Sequence, residues 1–169
     1  MNDFLDSDEE RDRRPVFLTV VGILSLVNIS WSLIQNITSF LSGPLTEEGM
    51  EAYRLEMAKS LSTVQDTGVV WAEDLIQSAM NMVESINVNH TMNLLSSTVI
   101  LIIGLAAVIM MLKGRKIGFH GYIIYSFLAS VQIYLFVTPS LLPNIMVIFS
   151  LLASGLFILF YGLNLKWMK

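Results

Sequence analysis

Cysteine is absent from this chain of 169 residues, and charged residues make up only 14% of it. Without cysteine the chain forms no disulfide, offers no thiolate to a metal and performs no thiol redox chemistry. The sequence also has no glycine-rich phosphate loop, no paired-carboxylate motif and no nucleophile elbow. It therefore predicts no enzyme activity and no cofactor.

Charge is missing above all from three long runs. No Asp, Glu, Lys or Arg occurs in 15–46, 85–112 or 117–165, and each run exceeds the roughly 20 residues that a membrane-spanning helix needs. The third run is interrupted by Thr138, Pro139, Ser140 and Pro143, which indicates two spans joined by a turn. The pattern predicts an all-α polytopic membrane protein in contact with lipid, with no nucleic-acid partner. Its four transmembrane helices are placed at 15–42, 92–112, 118–137 and 142–165.

The remaining basic residues predict the orientation. Eight of the ten Lys and Arg residues form three clusters: Arg11, Arg13, Arg14; Lys113, Arg115, Lys116; and Lys166, Lys169. Short segments rich in Lys and Arg stay on the cytoplasmic side of a membrane. We therefore expect the charged tail 1–14, the loop 113–117 and the terminus 166–169 inside, with 43–91 and the turn 138–141 outside. His90 and His120 then lie about 30 Å apart, too far to bind one metal.

The outside segment 43–91 has the pattern of two amphipathic helices. Thr46, followed by Glu47 and Glu48, is a favourable helix start. Apolar residues then recur at three- and four-residue steps: Met50, Tyr53, Met57 and Leu61 in the first helix, and Trp71, Leu75 and Met82 in the second. The spacing predicts an extramembrane helical hairpin between the first two spans. Because no helix-breaking residue lies in 70–112, its second helix is free to continue into the second span.

The apolar faces of this hairpin have two interpretations. Either the two helices bury these faces against each other, or the methionine-rich surface also binds another protein, since methionine adapts to irregular partners.

Polar side chains follow one face of the first span, at three- and four-residue steps: Ser25, Asn28, Ser32, Gln35 and Ser39. On the second and third spans the matching residues are His90, Asn93, Ser97 and Gln132. Polar groups at hydrocarbon depth need partners, so these residues should face protein or trapped water. The first interpretation is a hydrogen-bonded seam between spans one and two. The alternatives are a groove for a small ligand or lipid headgroup, and a docking surface for another membrane subunit.

Small residues predict close packing of the last two spans. Ser126 and Ser130 on the third span, and Ser150 and Ser154 on the fourth, each stand four residues apart, and such pairs permit close helix approach.

The segment RPVFLTVVGILSL at 14–26 is similar to the opening of small, uncharacterised bacterial inner-membrane proteins that begin with a short charged tail and an Arg-Pro start. The resemblance covers about one span. It implies a bacterial inner membrane, which makes 43–91 periplasmic, and it assigns no functional residue.

Together these features predict a non-enzymatic accessory or scaffold subunit of a larger inner-membrane complex. It would contact another membrane protein subunit through the hairpin and its transmembrane faces, and self-association stays open. The alternative is a small channel, transporter component or lipid-binding protein that uses the polar zone. Coupled transport is disfavoured because no charged residue lies within any predicted span.

Overall fold

The structure, a computed structural model, describes residues 15–169. Over this range the chain forms six α-helices, one short 3-10 helix and no β-strand, so the predicted all-α fold is confirmed. The predicted charged tail at 1–14 lies outside the described residues. The helices are α1 (Val16–Ser42), α2 (Glu47–Gln65), α3 (Val70–Val88), α4 (His90–Leu112), α5 (Lys116–Val131), the 3-10 helix (Gln132–Leu135) and α6 (Leu141–Gly162).

Three of the described helices, α1, α4 and α6, are long and apolar enough to cross a membrane, with mean hydropathies of 2.0, 2.6 and 2.3. The prediction of a membrane protein with transmembrane helices is thereby confirmed for these three. The predicted third span differs, because its α-helical part, α5, has only 16 residues. At 1.5 Å per residue α5 is about 24 Å long, which is less than the roughly 30 Å of the hydrocarbon layer.

A single residue separates α3 from α4. Asn89 has φ −101° and ψ 21°, outside the α-helical region. Helical hydrogen bonding nevertheless continues across it, because Asn89 N donates to the Ser85 carbonyl and Asn93 N donates to the Asn89 carbonyl. The two helices therefore follow one another with only a local break, and the uninterrupted helix that the sequence permits does not form.

The buried core lies among α1, α4, α5 and the end of α6. Its most enclosed side chains, each at most 1% exposed, are Leu18, Ile29, Ala107, Val108, Met111, Tyr161 and Met168. Helix α4 is central, since it packs against both α1 and α5. By contrast, only 11% of the apolar window of α6 is buried, against 28% for α1 and 33% for α4. Most of the α6 surface is thus left for lipid or for another protein.

The C-terminal residues join the α4–α5 loop at one end of the bundle. Lys169 N donates to the Gly114 carbonyl at 2.6 Å, and Lys116 N donates to the Lys169 carbonyl at 3.0 Å. Gly114 has φ +76°, a backbone conformation that favours glycine. These bonds bring two basic clusters together at one end of the bundle. We call this end the basic end, and its basic residues are Lys113, Arg115, Lys116, Lys166 and Lys169.

Glycine allows α5 to lie directly on α4. A Cβ atom at Gly118 would stand 2.6 Å from the Ala107 carbonyl oxygen and 2.6 Å from Met111 N, both backbone atoms of α4. A Cβ atom at Gly104 of α4 would stand 2.6 Å from the Tyr125 ring. Neither position has room for a side chain, so the α4–α5 interface depends on both glycines.

Replacing Gly118 by alanine should lower the free energy of unfolding by about 1–3 kcal/mol, because overpacking against rigid backbone forces the two helices apart. The matched control is Gly155→Ala in α6, where a Cβ atom would meet nothing within 4 Å and stability should be unchanged or slightly higher. Unfolding in mixed detergent micelles measures both variants. Equal losses at the two positions would contradict this packing.

Candidate functional site

The predicted polar seam is formed in part between α1 and α4. Ser39 Oγ lies 3.2 Å from His90 Nε2, within hydrogen-bond distance. Asn36 Nδ2 donates to Thr98 Oγ1 at 3.2 Å, a pair that the polar spacing did not include. Both contacts lie in the half of α1 remote from the basic end. They tie the second half of α1 to the first half of α4.

Gln132 is placed against α4, the helix that carries Asn93, another residue of the predicted seam. Gln132 Nε2 donates to the Asn93 backbone carbonyl at 3.1 Å and to Ser96 Oγ at 2.9 Å. Ser97, which the sequence predicts in the seam, is half-buried and makes no side-chain hydrogen bond within 15–169. One residue rotates a helical side chain by about 100°, so Ser96 and Ser97 face different neighbours.

Ser25 meets a different helix. Tyr161 Oη donates to Ser25 Oγ at 2.8 Å, which joins α1 to α6 near the basic end. Both side chains are buried, at 4% and 0% exposure. The sequence pattern did not indicate Tyr161, because an aromatic residue in an apolar run is typical of core packing. Its hydroxyl could have indicated a polar contact, since a buried tyrosine usually finds a hydrogen-bond partner.

The middle of the predicted stripe has no partner helix. Ser32 Oγ donates to the Asn28 backbone carbonyl of its own helix at 3.0 Å. The side chains of Asn28 and Gln35 are exposed, and neither makes a hydrogen bond in the part of the chain that the structure describes. The stripe is therefore divided. Ser39 pairs with α4 and Ser25 with α6, and the amides of Asn28 and Gln35 between them have no hydrogen-bond partner in the described residues.

The predicted hairpin residues divide in the same way. Met50 is buried, at 8% exposure, whereas Trp71 is 67% exposed. The other five are half-buried where α2 and α3 pack together: Tyr53, Met57, Leu61, Leu75 and Met82. Trp71 thus stands apart from the contact between the two helices.

Polar contacts connect α3 to α2 and to the segment that precedes α2. Arg54 Nε lies 2.6 Å from Glu84 Oε1, and because both side chains are exposed this ion pair adds little stability. Nearer the bundle, the Asn87 amide accepts from Leu45 N at 2.7 Å and donates to the Leu45 carbonyl.

Partial burial and the neighbouring carboxylates raise the pKa of the Tyr53 phenol.

A serine pair fixes α3 to the start of α6. Ser78, which is 3% exposed, has its Oγ atom 2.7 Å from Ser140 Oγ and accepts a hydrogen bond from Leu142 N at 2.9 Å. The middle of α3 is thereby held against the start of α6. No sequence spacing pointed to this contact.

A cavity of about 470 Å³ lies among α1, α5 and α6. Its floor is polar and buried, each side chain being at most 8% exposed: Ser25, Tyr122, Tyr125 and Ser126. Its rim is exposed: Leu24, Asn28, Ala129 and Ala153. No charged residue lines it.

Serines from α5 and α6 also line this cavity. Ser130 Oγ lies 2.9 Å from Ser150 Oγ, so the predicted small residues do bring the two helices together. Ser126, Ser150 and Ser154 line the cavity, and their small side chains leave it unfilled. Within 15–169 the Tyr125 hydroxyl makes no hydrogen bond. The sequence stripe on α1 pointed toward this region, but it did not identify the tyrosines of α5.

These features define a helical membrane protein with an uncharged, polar-floored cavity between three helices. Comparison with protein-family models, curated protein sequences and solved structures finds no match to this chain. Across the described range, no three His, Asp or Glu side chains gather as a metal site would require. The geometry of the site itself is thus the basis for a functional proposal.

The buried bond between Ser25 and Tyr161 should be measurable as a coupling energy. In a double-mutant cycle of Ser25→Ala and Tyr161→Phe, we expect about 0.6–1.7 kcal/mol of coupling in the free energy of unfolding. The control cycle pairs Ser25→Ala with Tyr134→Phe, whose hydroxyl bonds Asn144 instead, and should be additive. A Ser25–Tyr161 coupling of zero would contradict the contact.

Proposed function

We propose that this chain is a non-enzymatic accessory subunit of a larger assembly in a bacterial inner membrane. It binds another membrane protein through one face of α1 and through an outer helical hairpin made of α2 and α3. The main support is Gln35, an exposed amide on an apolar membrane helix with no hydrogen bond in the described part of the chain.

The basic end supports a topology with four membrane crossings. Lys116 at the start of α5 and Lys169 after α6 are joined by a backbone hydrogen bond, so they lie on one side of the membrane. If α6 crosses, α5 and the 3-10 helix must cross as well. Their combined length of about 32 Å is sufficient for the hydrocarbon layer. The positive-inside rule then places this basic end in the cytoplasm and the hairpin outside.

The absence of cysteine makes this topology testable with single introduced thiols. Ser62→Cys on α2 should react with a membrane-impermeant maleimide in intact spheroplasts, and Lys166→Cys should react only after permeabilisation. Both positions are exposed. Three crossings would put both thiols on one side of the membrane, so equal labelling from outside would contradict the topology.

A polar group that faces lipid favours association with another helix. Hydrocarbon offers Gln35 no hydrogen-bond partner, and a polar side chain on a second membrane helix gains about 1–2 kcal/mol by supplying one. The apolar surface of α6 is weaker support, because lipid tails cover it as well as a protein does.

The hairpin offers a second contact point. Val70 and Trp71 stand side by side near the α2–α3 turn and are 68% and 67% exposed. A large exposed aromatic residue is the type that dominates the binding energy of protein interfaces. Trp71 does not contribute to the packing of α2 on α3, so its exposed side chain is free to contact a partner.

Gln35→Leu should reduce recovery of the partner about 5- to 30-fold, the loss of one hydrogen bond between membrane helices. The matched control is Thr38→Val, an exposed residue one turn away whose hydroxyl bonds the Ile34 carbonyl of its own helix. Its partner recovery should match that of the unchanged chain. Purification in mild detergent followed by native mass spectrometry gives the measurement.

Two results would contradict the proposal. A monodisperse chain with no stoichiometric partner would argue against an accessory role. Full partner recovery with Gln35→Leu would argue against the α1 face as a binding surface. Trp71→Ala would then test whether the hairpin alone contacts the partner.

A further inference from the structure

The cavity among α1, α5 and α6 opens sideways, toward lipid. Leu24 at its rim is 55% exposed, and Ala129 and Ala153 are exposed on the neighbouring helices. Its floor, by contrast, is closed by Ser25 and Ser126, which are 4% and 3% exposed. A molecule dissolved in the bilayer can therefore enter laterally with its polar part first.

The lining selects against charge. Hydroxyl groups and one amide supply all its polar side chains, and no basic or acidic residue lines it. An ionised headgroup would lose its water here without gaining a counter-charge, which is strongly unfavourable. A neutral oxygen, such as a carbonyl or hydroxyl, needs only one or two hydrogen bonds.

Tyr125 provides an unused donor at the floor. Its ring lies against Gly104 and 5.6 Å from the Tyr122 ring, measured between centroids, and the side chain is 8% exposed. Its neighbours Tyr161 and Ser25 already bond each other. The Tyr125 hydroxyl has no partner among residues 15–169 and is not fully enclosed, so it can donate to a molecule in the cavity that Tyr125 lines. Asn28 at the rim has an amide that is likewise unpaired.

We propose that this cavity binds a neutral, bilayer-dissolved molecule through a carbonyl or hydroxyl oxygen. That oxygen accepts a hydrogen bond from Tyr125, and Asn28 bonds it or a second oxygen nearby. The apolar body of the molecule lies against Leu24, Ile29 and Phe157, and its remainder extends into the bilayer. The volume of about 470 Å³ is within the range of small-molecule sites. This inference goes beyond the accessory role and does not depend on it.

Photolabelling of the purified full chain in phosphatidylcholine nanodiscs tests the proposal. The probes are a photoactivatable diacylglycerol, which offers hydroxyl and ester oxygens, and a photoactivatable alkyl benzoquinone, which offers only carbonyls. A photoactivatable phosphatidic acid with the same acyl chains as the diacylglycerol is the charged control. Mass spectrometry identifies the labelled peptides.

Two variants alter the site and one serves as a control. Tyr125→Phe removes only the hydroxyl, and Ser154→Leu fills the cavity from α6. Tyr134→Phe removes a tyrosine hydroxyl that bonds Asn144 outside the cavity. Thermal unfolding shows that each variant is folded.

At least one neutral probe should label 24–29, 122–129 or 150–157, and phosphatidic acid should not. Tyr125→Phe should weaken that labelling about three- to tenfold, the effect of one hydrogen bond. Ser154→Leu should reduce it further, and Tyr134→Phe should leave it unchanged. The more strongly bound probe identifies the oxygen chemistry of the ligand.

Three results would overturn the proposal. These are equal labelling by phosphatidic acid, labelling that Tyr125→Phe and Ser154→Leu both leave intact, and labelling confined to peptides outside the cavity. Because no partner protein is present in the nanodiscs, each result is separate from the fate of the accessory role.

Discussion

The hydrocarbon of a membrane offers no hydrogen-bond partner, so polar side chains at that depth must be satisfied inside the protein. In the described residues every fully buried side-chain nitrogen or oxygen has a partner. The bonds are distributed over several helix pairs: Ser39 with His90 joins α1 to α4, and Tyr161 with Ser25 joins α6 to α1. Each bond is weak by itself. Their distribution fixes how the helices are rotated against one another.

Small residues have opposite effects on the two sides of α5. Toward α4, Gly118 allows backbone contact and leaves no space. Toward α6, Ser130 and Ser150 bond each other, while Ser126 and Ser154 line the cavity. Protein interiors normally close gaps with larger side chains. Here α1 forms the third wall, and the small serine side chains of α5 and α6 leave space between the three helices.

Hydropathy predicted α1, α4 and α6 because it depends on each segment alone. The length of α5 was not predictable in this way, since the chain tightens into a 3-10 helix before Pro139. Three- and four-residue spacing likewise shows which residues share a face, but not which helix that face meets. Ser25 and Ser39 share a face of α1, yet one meets α6 and the other α4. Tyr125 carried no sequence signal, because its role depends on Gly104 of another helix.

Helix α1 connects the two proposals physically. Asn28 and Gln35 are two helical turns apart on one face, a separation of about 10 Å. Asn28 is at the cavity rim, and Gln35 is exposed beyond it. A partner helix that bonds Gln35 would therefore lie beside the lateral opening through which a neutral ligand enters. Any effect of that partner on ligand affinity must be matched by an equal effect of the ligand on partner affinity, because coupling between two binding events is reciprocal.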